Sequence, residues 1–190
     1  MGHLGGWRHR LGVGLPGLVT TGGIVRSSPN LPEVRELDAR RGLASWHWYF
    51  LAQPEPLPEK LIAADPGWLC EVLIGNWARR GATFAPEALA AYVEAYRDPA
   101  AVHASCQDYR AGATVDRELD EADRAAGRRI TCPTLALWGD RGERGNAAMA
   151  ETWARWASDL RTAAVDCGHF LPEEAPEATL AHLVPFLEGR

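Results

Sequence analysis

Lysine is nearly missing from this chain: Lys60 stands alone against nineteen Arg among 190 residues. The formal net charge is −5. The Arg are interspersed with Asp and Glu, so no basic stripe forms, and nucleic acid is excluded as the main partner. Cysteine is also scarce. Cys70, Cys106, Cys132 and Cys167 make no Cys-x-x-Cys pair, and each sits in an apolar or helical context. Neither a metal site nor a disulfide framework is expected, and a reducing, cytoplasmic compartment follows. Long apolar runs are lacking too. None approaches the roughly 18 residues that a spanning helix requires, which argues against a membrane partner. The apolar stretch "GVGLPGLV" near the start is short and broken by Pro16, too weak for a signal peptide.

A hydrophobic fraction of 46% suffices for the core of one domain, with room for a subdomain. Glycine crowds the first thirty residues, at 2, 5, 6, 12, 14, 17, 22 and 23, so local structure gets little help there. "LPEVRELDARRG" (31–42) reads as a helix with Pro32 in its first turn and Gly42 past its end. The aromatic segment "LASWHWYFLAQPEPLP" follows. From Leu57 to about Arg129 the pattern is helix after helix, punctuated by Asp98-Pro99 and Gly112.

After Arg129 the texture changes. "ITCPTLALWGD" reads as a buried strand and "ERGNAAMAETWARWASD" as a helix with Asn146 at its N-cap. "LRTAAVDCGH" is a second strand, and Pro172 to Leu187 a closing helix. Strand, helix, strand, helix is the pattern of a parallel sheet covered by helices. Ligands of such sheets bind at the carboxyl ends of the strands. "WGDRGERG" and "DCGHF" both fall there.

His169, in the second of these loops, suits a general base, and equally a surface-loop His that caps the last helix. Asp140 could orient that imidazole, or bond its own backbone as a turn residue. Asp166 more simply points along the strand end or into solvent. In "SWHWYF", His47 and Trp48 offer adjacent N–H donors that could hold an anion in an apolar pocket, and the same cluster could be aromatic core. Tyr109 could add a phenol O–H to that pocket.

Taken together, "SWHWYFLAQPEPLPEKLI", "ASCQDYRAGATVD", "CPTLALWGDRG" and "DCGHFLPEEAPE" resemble the haloacetate dehalogenase group of the α/β-hydrolase superfamily, whose best-known members hydrolyse fluoroacetate. The resemblance runs from about Asp38 to Arg190. It implies an α/β fold class: an incomplete α/β-hydrolase core of parallel strands and helices plus an all-helical cap subdomain. The implied division is a remnant of the nucleophile region and following strand in 1–37, a cap in 38–128 and the C-terminal core in 129–190. By the same resemblance, His47, Trp48 and Tyr109 match the halide pocket, and His169 matches the base that activates water. The substrate is a short haloacid, the released ligand a halide, and neither metal nor organic cofactor takes part. A homodimer is left open. The Ala, Arg and Gly richness suits a GC-rich bacterial genome.

The chain departs from that group at its start. The group's elbow reads Gly-His-Asp-Arg-Gly-Gly, with Asp as nucleophile. Here Gly2-His3-Leu4-Gly5-Gly6 is one residue shorter, and Leu4 stands where Asp-Arg is expected. The second substrate-binding Arg falls near Trp7 or Arg8. Gly22-Gly23 precede Ile24-Val25, where the group places its orienting acid before an Ile-Val pair. The expectation is a truncated or decayed hydrolase, inactive by itself, with a marginally stable core. Two alternatives stay open: a non-catalytic remnant that binds anions or a partner chain, and a relative of epoxide hydrolases or esterases. "HW" with "DYR" disfavours the epoxide reading, since these supply halide donors rather than paired cap Tyr.

Overall fold

The computed structural model describes residues 22–25, 42–43, 45–140 and 146–189. The readings made at Leu4 and along 1–20 lie outside these residues, as does most of the helix expected over 31–42. Gly42 and Leu43 are themselves helical, so Gly42 does not end a helix there.

In chain order the elements are β1 (Gly22–Val25), α1 (Trp46–Leu51), α2 (Leu57–Ile62), α3 (Pro66–Trp77), α4 (Pro86–Tyr96), α5 (Pro99–Ala113) and α6 (Val115–Ala125), followed by β2 (Thr134–Gly139), α7 (Asn146–Trp156), β3 (Leu160–Val165), α8 (Leu171–Glu174) and α9 (Pro176–Leu187). They form two compact units. One takes in the described residues from Gly42 to Asn76 together with Pro86–Glu121; the other takes in β1, Trp77–Ala85 and the described residues from Ala122 onward. Among the described residues the four Cys are free. No helix there is long and apolar enough to cross a membrane.

The second unit is built on β2. The strand pairs in parallel with β1 on one side, from Gly22 opposite Thr134 to Val25 opposite Leu137, and with β3 on the other, from Thr134 opposite Leu160 to Gly139 opposite Val165. A strand bonded on both edges and covered on both faces reads as a near-continuous apolar run, and every residue of "TLALWG" is buried, Thr134 with its hydroxyl donating to the Cys132 carbonyl at 3.0 Å. Its side chains alternate between faces. Ala136 and Trp138 join Ile130, Met149, Trp153 and Trp156. Leu135 and Leu137 join Val165, Cys167, Leu171 and Phe186. Gly22 and Gly23, which stand where the resemblance places the group's orienting acid, lie inside β1. The expected closing helix is two helices: α8 ends before Ala175, and α9 starts at Pro176. Pro176 has no N–H to donate to α8, while the Thr179 hydroxyl donates to the Ala175 carbonyl at 2.8 Å and approaches that of Leu171 at 3.1 Å. Asn146, expected as an N-cap, is already the first residue of α7.

The first unit is a helix assembly centred on α5, which packs against α1, α2 and α4. Asp98 caps α5, its carboxylate accepting from the Ala100 N–H at 2.9 Å, and Pro99 opens the first turn. Val102, Cys106 and Tyr109, at spacings of four and three, are the buried face of this helix. Next to them, Arg110 donates to Glu59 at 2.7 Å and through Nε to the Gln53 carbonyl at 2.8 Å. Both charged side chains are largely covered, at 15% and 16% exposure.

Burial alone pushes the Glu59 carboxyl up, but its own backbone N–H, the Arg110 hydrogen bond and the charges of Arg110 and His103 outweigh this and hold it below its ordinary value. A carboxyl lowered on folding contributes stability that is present above its unfolded value and lost as pH falls through its folded one. Glu59→Gln should therefore cost about 2 kcal/mol near neutral pH. The gap to wild type should close under acid conditions below the usual carboxylate range. Urea midpoints across pH check this; a gap independent of pH would remove the ion pair as its cause. In the second unit, a Cβ on Gly139 would lie 1.9 Å from the Gly168 carbonyl oxygen and 2.6 Å from that of Cys167. Both obstacles are backbone. Gly139→Ala should destabilise the unit by at least about 3 kcal/mol, read from the same unfolding curves.

Candidate active site

The residues singled out in the sequence fall into two groups, one in each unit. His47, Trp48 and Tyr109 meet in the helical unit. His47 and Trp48 are consecutive on α1, with ring centroids 6.1 Å apart. Tyr109 reaches them from α5, edge-on to Trp48 at 5.0 Å and to His47 at 6.1 Å with rings perpendicular. His47 and Tyr109 are buried, and Trp48 is partly so. "SWHWYF" is thus helical, and its aromatic residues divide between inside and outside: Trp46 and Tyr49 are exposed. Gly112, one turn beyond Tyr109, leaves room for the Trp48 ring, which a Cβ there would meet at 4.0 Å.

Asp140 and His169 stand at the carboxyl ends of β2 and β3. The Asp140 N–H donates to the Val165 carbonyl at 2.9 Å, which ties the two strand ends together. His169 is half-buried. Its imidazole stacks on Trp77 at 5.0 Å with 27° between planes and lies 4.8 Å from the Phe170 ring. The backbone N–H of His169 donates to the Trp77 carbonyl at 3.0 Å. One ring face is therefore covered by an indole, a geometry that limits rotation of the ring. Asp166 pairs with Arg79, whose Nη1 donates to its Oδ1 at 3.0 Å and to its carbonyl at 3.2 Å. The sequence reading had left Asp166 to the strand end or solvent.

Several residues that hold these groups were not found in the sequence. Trp77 and Arg79 lie about ninety positions before the loop they contact. Glu174 accepts three backbone hydrogen bonds around His169. The only sequence signal was its place in "HFLPEEAPE", where it reads as an ordinary helix-start acid. Cys167, beside His169, is buried. Desolvation, then the charges of Glu174, Asp140 and Asp166, push its thiol up to about 11 against the opposing effect of Arg79. A thiol so placed stays protonated near neutrality and is no nucleophile.

Among the described residues one grouping has metal-ligand chemistry: Glu55, Glu59 and His103, with ligand atoms within 4.8 Å of one another. His103 Nδ1 lies 3.6 Å from Glu59 Oε1. That same oxygen takes the Arg110 guanidinium, so the grouping is already charge-compensated.

No protein-family profile matches the chain. It is 40% identical over 191 residues to a fluoroacetate dehalogenase of a Burkholderia species, covering 98% of this chain and 62% of that protein. It is 33% identical over 104 residues to a soluble epoxide hydrolase of Corynebacterium sp. (strain C12), over 54% of this chain. Among solved structures, a Pseudomonas aeruginosa protein described as a candidate epoxide hydrolase superposes with a TM-score of 0.88 at 38% identity, covering 97% of this chain and 62% of that one. A candidate α/β hydrolase of Nostoc sp PCC 7120 follows at 0.85 and 38%, with 95% and 62% covered. The chain thus spans about three-fifths of the length of these proteins. Identity of 40% over nearly the whole chain, with superposition on solved structures at TM-scores of 0.85 and 0.88, makes it a homologue of fluoroacetate dehalogenase that carries the C-terminal part of the α/β-hydrolase fold.

Proposed function

We propose that this chain carries the halide-binding and water-activating half of a hydrolase that removes halide from a short 2-haloacid. The observation that carries the reading is the meeting of His47, Trp48 and Tyr109, three side chains with N–H or O–H donors, in one cluster of the helical unit. A halide leaving carbon develops full negative charge, and fixed donors aimed at it lower the barrier most where water is excluded. The helical unit is read as the cap.

The chemistry runs in two steps. A carboxylate attacks the carbon that bears the halogen. The carbon–oxygen bond forms as the carbon–halogen bond breaks, and the halide leaves with the bonding pair. Water then attacks the carbonyl of the resulting ester and gives a proton to His169. The ester opens, the carboxylate is regenerated and a 2-hydroxyacid departs. Asp140, on the neighbouring strand end, is the candidate to orient the imidazole. No metal or organic cofactor enters either step.

The attacking carboxylate is the part we read as missing, because the resemblance sets Leu4 where the group has its nucleophile. A second reading follows from the same residue: a protein that binds small anions without turnover. The epoxide-hydrolase reading fits less well, because the cluster holds one Tyr rather than a pair.

The chain by itself should release no fluoride from fluoroacetate, measured with a fluoride electrode. His169-dependent release would overturn that expectation. Bromide should quench tryptophan fluorescence saturably. Trp48→Phe and Tyr109→Phe should each weaken that binding about tenfold to a hundredfold, since a hydrogen bond to a charged group contributes about 1.5–3 kcal/mol. Linear, non-saturating quenching identical in the variants would sink the halide pocket.

A further inference from the structure

We propose that Glu174 is a positioning residue for His169, acting through the backbone on both sides of it. The inference rests on the reading of His169 as the base. Glu174 Oε2 accepts from the N–H groups of Gly168 at 2.9 Å and Arg79 at 2.8 Å, and Oε1 accepts from Phe170 at 2.9 Å. Gly168 and Phe170 are the immediate neighbours of His169. The N–H between them, that of His169 itself, donates to the Trp77 carbonyl at 3.0 Å. Every backbone donor from 168 to 170 is thus engaged, two by one carboxylate and one by the segment that the same carboxylate grips through Arg79.

The arrangement is a clamp with two jaws. On one side, Trp77 to Arg79 supplies a carbonyl, an indole face and an N–H. On the other, the Glu174 carboxylate closes the loop from the end of α8. Arg79 fastens the start of the loop as well, through Asp166. The close approach depends on Gly168: a Cβ there would lie 2.4 Å from the Arg79 nitrogen and 2.8 Å and 2.9 Å from the two Glu174 oxygens. A carboxylate suits the role because it accepts from several donors at once, and charge-assisted bonds are about twice as strong as neutral ones. An amide in its place offers one acceptor and turns an NH2 toward N–H groups.

The test is NMR on the full chain, comparing wild type with Glu174→Gln. Amide exchange at Gly168 and Phe170 should accelerate at least about tenfold, the loss of one charge-assisted hydrogen bond, while the β2 amides keep their protection. The His169 ring signals should pass from one sharp set to an exchange-broadened or doubled one. A merely structural acid would loosen β2 and the loop together or leave the ring unchanged. If the Gln variant loses β2 protection, Glu174→Asp, which keeps the charge but draws the oxygens back by one methylene, serves for the same comparison. Exchange within twofold of wild type at 168–170, or an unaltered His169 ring, in a folded variant overturns the proposal. The bromide titration decides the dehalogenase reading separately. A chain that binds no halide yet loosens at His169 in the variant keeps the clamp and loses the function attached to it.

Discussion

Everything in the sheet unit hangs on the burial of one parallel strand from all sides. β2 gives its N–H and C=O groups to β1 and β3, and its side chains to two separate apolar clusters. Such a strand has no solvent-facing direction left except its ends. Polar chemistry in this unit is therefore confined to the carboxyl end of β2 and the loops beside it. There the packing stays as tight as in the core. Gly139 touches the main chain of Cys167 and Gly168 closely enough that no other residue fits. The loop that carries His169 is thus seated directly on the end of the central strand, and its backbone position is set by contacts that do not yield.

A related constraint operates in the helical unit through charge. Arg110 and Glu59 are both largely covered, and desolvating two ions costs more than their attraction returns unless further hydrogen bonds satisfy them. The Gln53 carbonyl supplies one. The pair links the helix that carries Tyr109 to α2 and to the turn after α1. Because Tyr109 and Arg110 are consecutive, an ion pair that fixes the rotation of α5 also fixes where the phenol points. The aromatic cluster and the ion pair are two consequences of one helix orientation.

Elements governed by local rules were legible in the sequence. The continuous apolar run of β2, the proline-led starts of α3, α4 and α5, and the position of Asp140 and His169 after their strands all follow from nearest-neighbour chemistry. What escaped was long-range. Glu174 bonds Arg79 across 95 residues, and nothing in the spacing or neighbours of "LPEEAPE" separates it from Glu173. Glu59 stands in the first turn of α2, and nothing local marks the Arg110 that meets it from 51 positions away. The division of the closing helix at Ala175 turns on Pro176, which the sequence reading leaves inside one helix running from Pro172. Gly22-Gly23 give a strand little local help, yet pairing with β2 holds them in one.

The energetics of the aromatic cluster bear on which function to prefer. His47 and Tyr109 are buried beside the partly buried Trp48, so their N–H and O–H groups lie in a place of low dielectric. A charged acceptor that meets such groups is held more strongly there than in water. This suits the anion-binding role, and it does so whether or not a carboxylate nucleophile is at hand. Turnover asks for more: a nucleophile, a base held in place, and an orienting acid. The clamp around His169 commits a carboxylate and three main-chain donors to one loop. Such order has a use when an imidazole must meet a water at a fixed angle, and little when the loop merely caps a helix.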